Sequence, residues 1–139
     1  MRRVVVTGLG IVSPLGCGVE PVWKRLLSGQ SGIKPIEHFD ASDLASRIAG
    51  IVPRKDGRGG GADDPHAFDP DATMVPREQK RIDEFILYGI AAADQAIEHS
   101  GWTARSDEEA ERAGVMIGSG TGGLSTIYET SVLLKERGP

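Results

Sequence analysis

The sequence predicts an α/β fold on three observations. A β-branched run at residues 4–7 ends in Gly8-Leu9-Gly10, a second apolar run at 114–118 (GVMIG) enters another glycine turn, and a long amphipathic helix lies between them. The order reads strand, helix, loop, helix, strand, helix. Connections of that length permit right-handed crossovers, so at least two parallel strands with helices packed on them are expected.

The first run, Val4, Val5, Val6 and Thr7, has the composition of a buried strand leading into a tight turn. Pro21 then suits the first turn of a helix whose Val22, Trp23, Leu26 and Leu27 share a face, and Gly29 is a natural stop. Residues 31–52 mix Ile33, Ile36, Phe39, Leu44, Ile48 and Ile51 with turn formers and read as a connecting region partly docked on a core. Residues 54–73 hold Gly59-Gly60-Gly61, Asp63-Asp64, Pro65 and Pro70 with few bulky apolar side chains, the composition of an exposed, mobile loop.

Pro76 opens the clearest helix. Ile82, Phe85, Ile86, Gly89, Ile90, Ala93 and Ile97 fall on one continuous face, and Gly101 stands where a C-cap belongs. A charged stretch at 106–112 precedes the second strand. Beyond Gly118-Ser119-Gly120-Thr121-Gly122-Gly123, a last helix carries Leu124, Ile127, Tyr128 and Leu134 at roughly helical spacing.

Composition excludes little: 139 residues, 39% hydrophobic and 26% charged, fit one ordinary globular domain. A net charge of -4 gives no whole-molecule attraction to nucleic acid or anionic lipid, so an electrostatic partner site has to be a local patch. No window has the roughly 18 apolar residues of a membrane helix, and Met1-Arg2-Arg3 is followed by too short an apolar run for a signal peptide. The single cysteine, Cys17, forms no internal disulfide and agrees with a reducing, cytoplasmic setting.

Several motifs invite functional readings. Gly8-Leu9-Gly10 after a strand suggests dinucleotide binding, but the third glycine of that fingerprint is replaced by Ser13 before Pro14. The cluster at 118–123 has the glycines of an anion nest without a phosphate-loop lysine, and a tight strand-to-helix turn is the simpler reading. Cys17 precedes a helix, where a thiol is activated, yet a structural role is favoured. His38, His66 and His99 lack metal-ligand spacing, and His99 has an adequate explanation in the helix dipole. Arg77, Lys80 and Arg81 fall on one face in the first turns of the predicted helix. There they oppose the macrodipole, and they read either as a solvated face moderated by Glu78 and Glu84 or as a dock for an acidic partner.

VVVTGLGIVSPLG, then GQSGI at 29–33, then PREQKRIDEFILYGIAAADQA, then IGSGTGGL occur in the order seen at the start of condensing enzymes. In this the chain resembles the elongating, type II β-ketoacyl-(acyl carrier protein) synthases over nearly its whole length, least around 54–73. The resemblance implies a thiolase-like α/β fold of which 1–139 is only part of the first half, its N-terminal domain incomplete and inactive alone. A parallel sheet of only two strands would also leave edge donors and acceptors unpaired, so the chain expressed by itself is expected to be unstable or aggregated. It implies an enzyme, normally a homodimer, that condenses acyl groups with malonyl-acyl carrier protein without a cofactor. Its catalytic cysteine and two histidines match no residue here.

By the same resemblance Arg77, Lys80 and Arg81 stand where basic residues contact acyl carrier protein, while Gly120 and Thr121 stand in the turn that lines or gates the acyl pocket. Other readings are a non-catalytic partner subunit such as a chain-length factor, a nucleotide-binding oxidoreductase fragment using VVVTGLG and GSGTGG, and a stand-alone carrier-binding module.

Overall fold

In a computed structural model, which describes residues 3–138, the long helix and an N-terminal extended segment organise the chain. The readings at Met1-Arg2 and Pro139 lie outside it. A hairpin of two very short strands, β1 (Val12–Ser13) and β2 (Gly16–Cys17), pairs antiparallel, Val12 opposite Cys17. It leads into α1 (Val19–Leu27), whose N-cap Gly18 has φ 99° and whose chain leaves through Gly29 at φ 71°. Both angles favour glycine. A second antiparallel pair joins β3 (Ile33–Pro35) and β4 (Ile48–Gly50), in register Ile33 to Gly50.

Two short helices, α2 (Pro70–Thr73) and α3 (Pro76–Gln79), precede the central α4 (Glu84–Ser100). Asp69 caps α2 by accepting from the N–H groups of Asp71 and Ala72, and Gly101 closes α4 in the left-handed conformation at φ 62°. After α5 (Asp107–Glu111), capped by Ser106, the chain runs to α6 (Leu124–Arg137), which starts from Gly123 at φ 68°. The core sits where Phe68, Leu87 and Ala91 are buried together, with Val12, Val52, Met74, Ile82 and Tyr88 packed around them. Among the described residues no helix is long and apolar enough to cross a membrane.

The expectation of parallel strands at 4–7 and 114–118 needs correction. Neither run forms a strand, and among the described residues the pairing is antiparallel and confined to β1–β2 and β3–β4, apart from a single bridge between Arg54 and Phe68. A strand is defined by its neighbour's donors and acceptors, and these runs lack one: Val4 and Met116 are 95% and 98% exposed. They nonetheless converge, since Val6, Thr7, Ala113 and Val115 line one cavity against Ala96, Ile97 and Ser100 of α4.

The single helix expected from Pro76 is also corrected: it is broken at residues 80–83 into α3 and α4. Apolar spacing continues in phase across the break, because Ile82 packs on the core from outside either helix. The segment 54–73 is not uniformly an exposed loop. Arg54, Ala67 and Phe68 are buried, Phe68 to 1% exposure. Its ends are closed by Phe68 N–H donating to the Pro53 carbonyl (2.8 Å) and Lys55 N–H to the Phe68 carbonyl (2.9 Å). One aromatic anchor at the base of a glycine-rich stretch makes it a compact, closed loop.

Candidate functional site

The extended N-terminal segment shows what Gly8 and Gly10 are for. A Cβ on Gly8 would lie 2.0 Å from the Ala96 carbonyl oxygen, and one on Gly10 1.9 Å from that of Ala92. No side chain fits between this backbone and α4. Leu9 N–H donates to His99 Nδ1 and Ile11 N–H to Gln95 Oε1, each at 3.1 Å. The glycines therefore serve close packing on a helix, and the dinucleotide reading has no support in their geometry. His99, read from the sequence as a dipole partner, accepts a backbone hydrogen bond through its ring.

Cys17 also belongs to this packing. Its N–H donates to the His66 carbonyl at 2.8 Å, and Gln95 Nε2 lies 3.1 Å from its Sγ. Burial pushes the thiol pKa up, against a smaller opposing effect of the Gln95 hydrogen bond. That is the reverse of what a thiolate nucleophile requires. His66 contributes through its backbone, and His38 stacks edge-on against Phe39 at 4.8 Å.

The residues singled out for docking lie at the break between α3 and α4. Pro76 starts α3, Arg77 sits in its last turn, Lys80 is its C-cap and Arg81 is in the linker. All three side chains are exposed. Lys80 stands at the C-terminal end of α3, where positive charge is favourably placed, whereas Arg77 is the second residue of this one-turn helix and gains no such advantage. Gln79 fixes α3 by donating from Nε2 to the Met74 carbonyl (2.6 Å) and to Asp71 Oδ1 (2.8 Å).

The glycine turn meets this same end of α4. Asp83, the N-cap of α4, accepts a hydrogen bond from Thr126 Oγ1 in the first turn of α6. A Cβ on Gly122 would come within 2.5 Å of the Phe85 ring, so the turn rests directly on α4. Gly120 and Thr121 are exposed beside it. The structure thus brings the cationic linker and the glycine turn together, through Asp83 and Phe85.

One cluster had no part in the sequence reading. Arg54 is 5% exposed, its guanidinium 5.7 Å from the Phe68 ring centroid, and it pairs with Asp56 and Glu84, each at 2.8 Å. Arg58 pairs with the same two carboxylates. Burial pushes the Asp56 carboxyl up, but hydrogen bonds from Arg54 and Arg58 outweigh it and bring its pKa to about 2. Glu84, which in the alternative reading of the cationic face would moderate Lys80 and Arg81, is instead held by this loop. The only sequence signal was Arg-x-Asp-x-Arg at 54–58, which looks like any solvated charge run. A cavity of about 560 Å³ borders the cluster, lined also by Lys34, His38 and Tyr88.

Comparison with known proteins gives a consistent picture. Residues 1–139 match the family described as Beta-ketoacyl synthase, N-terminal domain. The chain is 45% identical over 139 residues to 3-oxoacyl-[acyl-carrier-protein] synthase 2 of Rhizobium meliloti (strain 1021), covering 100% of this chain and 32% of that protein. It is 48% identical over 138 residues to the protein of the same name from Vibrio harveyi, covering 99% and 30% respectively. Among solved structures, one titled "The ishigamide ketosynthase/chain length factor" superposes with a TM-score of 0.56 at 33% identity, over 73% of this chain and 22% of that one. The chain therefore spans about a third of the length of these curated relatives.

Proposed function

The chain belongs to the β-ketoacyl synthase family, as its N-terminal domain, and on that premise we propose that it serves a 3-oxoacyl-(acyl carrier protein) synthase of fatty acid elongation. The reaction is the decarboxylative condensation of an enzyme-held acyl group with malonyl-acyl carrier protein, run by a cytoplasmic homodimer of thiolase-like fold. The chemistry needs a nucleophile to hold the acyl group and groups that assist loss of carbon dioxide. Within this chain Cys17 is unsuited to the first task, its thiol being pushed up by burial. The covalent step is accordingly assigned outside these residues.

Their own contribution is recognition. Arg77, Lys80 and Arg81 form the docking face for acidic acyl carrier protein, and Gly120 and Thr121 contribute to the acyl pocket. The observation that carries this reading is convergence at one end of α4: a cationic linker and a glycine turn are joined there by Asp83 and Thr126. A carrier protein delivering a tethered acyl chain needs its landing surface beside the entrance to the pocket, and electrostatic attraction favours fast, oriented encounter.

The test is binding of acyl carrier protein to the intact protein with Arg77, Lys80 and Arg81 reversed to Glu. Affinity is expected to fall at low salt by at least tenfold, about 1.4 kcal/mol, and the difference to shrink as salt rises. Unchanged low-salt affinity would remove the docking assignment.

A further inference from the structure

Lys80 and Glu84 are four residues apart, and Arg81 and Glu84 three, the separations at which opposite charges pair along a helix. In a continuous helix Glu84 would neutralise the cationic face. Two features prevent this. The break at residues 80–83 takes Lys80 and Arg81 out of helical register with α4. Arg54 and Arg58 then occupy Glu84, both through its Oε1. Among the described residues, the ion pairs involve none of Arg77, Lys80 and Arg81.

We propose that Arg54 and Arg58 sequester Glu84, and that this keeps the cationic linker unneutralised for an acidic protein partner. The inference rests on the docking reading above and adds to it the residues that set the charge of the surface. Arg54 is suited to the task because it is fixed: it is buried on Phe68, and its hydrogen bonds reach Asp56 and Glu84 at once. A planar guanidinium bridges two carboxylates in a geometry that an ammonium does not reproduce. Arg58 is more exposed, 57% of its side chain, and adds a second cation to the same carboxylate. The closed loop that carries both is thereby coupled to the face, although it supplies none of the docking residues.

The experiment measures affinity for acyl carrier protein, at low salt, in the intact protein. Replacing Arg54 and Arg58 together by Gln is expected to weaken binding about three- to tenfold, as released Glu84 turns to Lys80 and Arg81. Adding Glu84→Gln to that pair is expected to restore affinity to within about twofold of the parent. Adding Glu98→Gln instead, an equal charge change on exposed α4 surface, is expected to restore nothing. If the double variant fails to fold, Arg58→Gln alone, with and without Glu84→Gln, makes the comparison at an exposed position, with a smaller but still rescued loss expected because Arg54 continues to hold Glu84.

A loss not rescued by Glu84→Gln, or rescued equally by Glu98→Gln, assigns the arginines a structural or general electrostatic role and overturns the proposal. No loss at all, with the Arg77, Lys80 and Arg81 reversal still weakening binding, overturns the sequestration and leaves docking intact. If that reversal is itself without effect, both fall.

Discussion

The backbone N–H of Leu9 donates to Nδ1 of His99 at 3.1 Å across 90 residues of sequence. With the matching bond from Ile11 to Gln95, it makes one face of a helix act as a strand partner. The geometry follows from two periodicities. Four residues of helix advance about 6 Å, and two residues of extended chain about 6.8 Å. Side chains at 95 and 99 therefore meet successive inward-facing N–H groups at 9 and 11, and only glycine at 8 and 10 lets the backbone come close enough.

The first prediction tests that packing. Gly8→Ala and Gly10→Ala each place a methyl about 2 Å from a helix carbonyl oxygen, and each is expected to destabilise the intact protein by about 2–3 kcal/mol. Gly114→Ala, with nothing within 4 Å of the added atom, is expected to stay within about 0.5 kcal/mol. Urea midpoints of the three variants decide it, and equal shifts would refute the packing account.

The second concerns acid. Arg25 donates to both carboxylate oxygens of Asp64, at 2.7 and 2.8 Å, and this holds its carboxyl at about 2 against an ordinary 3.8. A pKa depressed on folding stabilises the native state above the unfolded value, and the gain disappears as pH falls through 3.8 toward 2. With the pair partly exposed, Asp64→Asn is expected to cost about 1–2 kcal/mol at pH 7 and almost nothing at pH 2. Thermal melts of parent and variant across that range should converge at the acid end. A constant gap would mean that the carboxylate charge is not the source.

These relationships differ in how far the sequence displays them. α1, α4 and α6 were legible because helices satisfy their own backbone and announce themselves by spacing, with Gly29, Gly101 and Gly123 punctuating them. Residues 4–7 and 114–118 have the composition of strands, but strand formation depends on a neighbour that local sequence does not contain. The loop at 54–73 is largely exposed as its composition suggests, and what that average composition hides is Phe68, the buried side chain that anchors its base. The break before α4 did carry a signal: Asp83 is a good N-cap residue, overridden here by apolar spacing that ran through it. For the candidate site, the cationic residues and glycine turn could be found separately, while their meeting through Asp83 and Thr126 is a tertiary fact.

The third prediction is chemical. Burial raises the pKa of the Cys17 thiol, and its sulfur lies against Gln95 rather than beside a cation. Alkylation of native protein by iodoacetamide at pH 8 is therefore expected to be at least about tenfold slower than that of a free exposed thiol. It should accelerate to the free rate in denaturant. Rapid labelling of the native state would contradict the structural assignment of this residue.

The last separates the role proposed for the turn in substrate recognition from its role in folding. Thr121 is exposed and free of the contacts that fix Gly122 on Phe85, so Thr121→Ile is expected to change stability by less than about 0.5 kcal/mol. If the side chain at 121 faces the acyl chain, the same substitution narrows the space available and shortens the preferred acyl substrate of the intact enzyme. Gly122→Ala drives a methyl into the Phe85 ring and displaces the whole turn, so it is expected to lower stability as well as activity. Acyl-length profiles and urea midpoints, measured on both variants, distinguish the two roles. A shifted profile with an unshifted midpoint places position 121 in the pocket, whereas an unchanged profile for Thr121→Ile leaves Gly122 as the turn's structural anchor and removes Thr121 from the site.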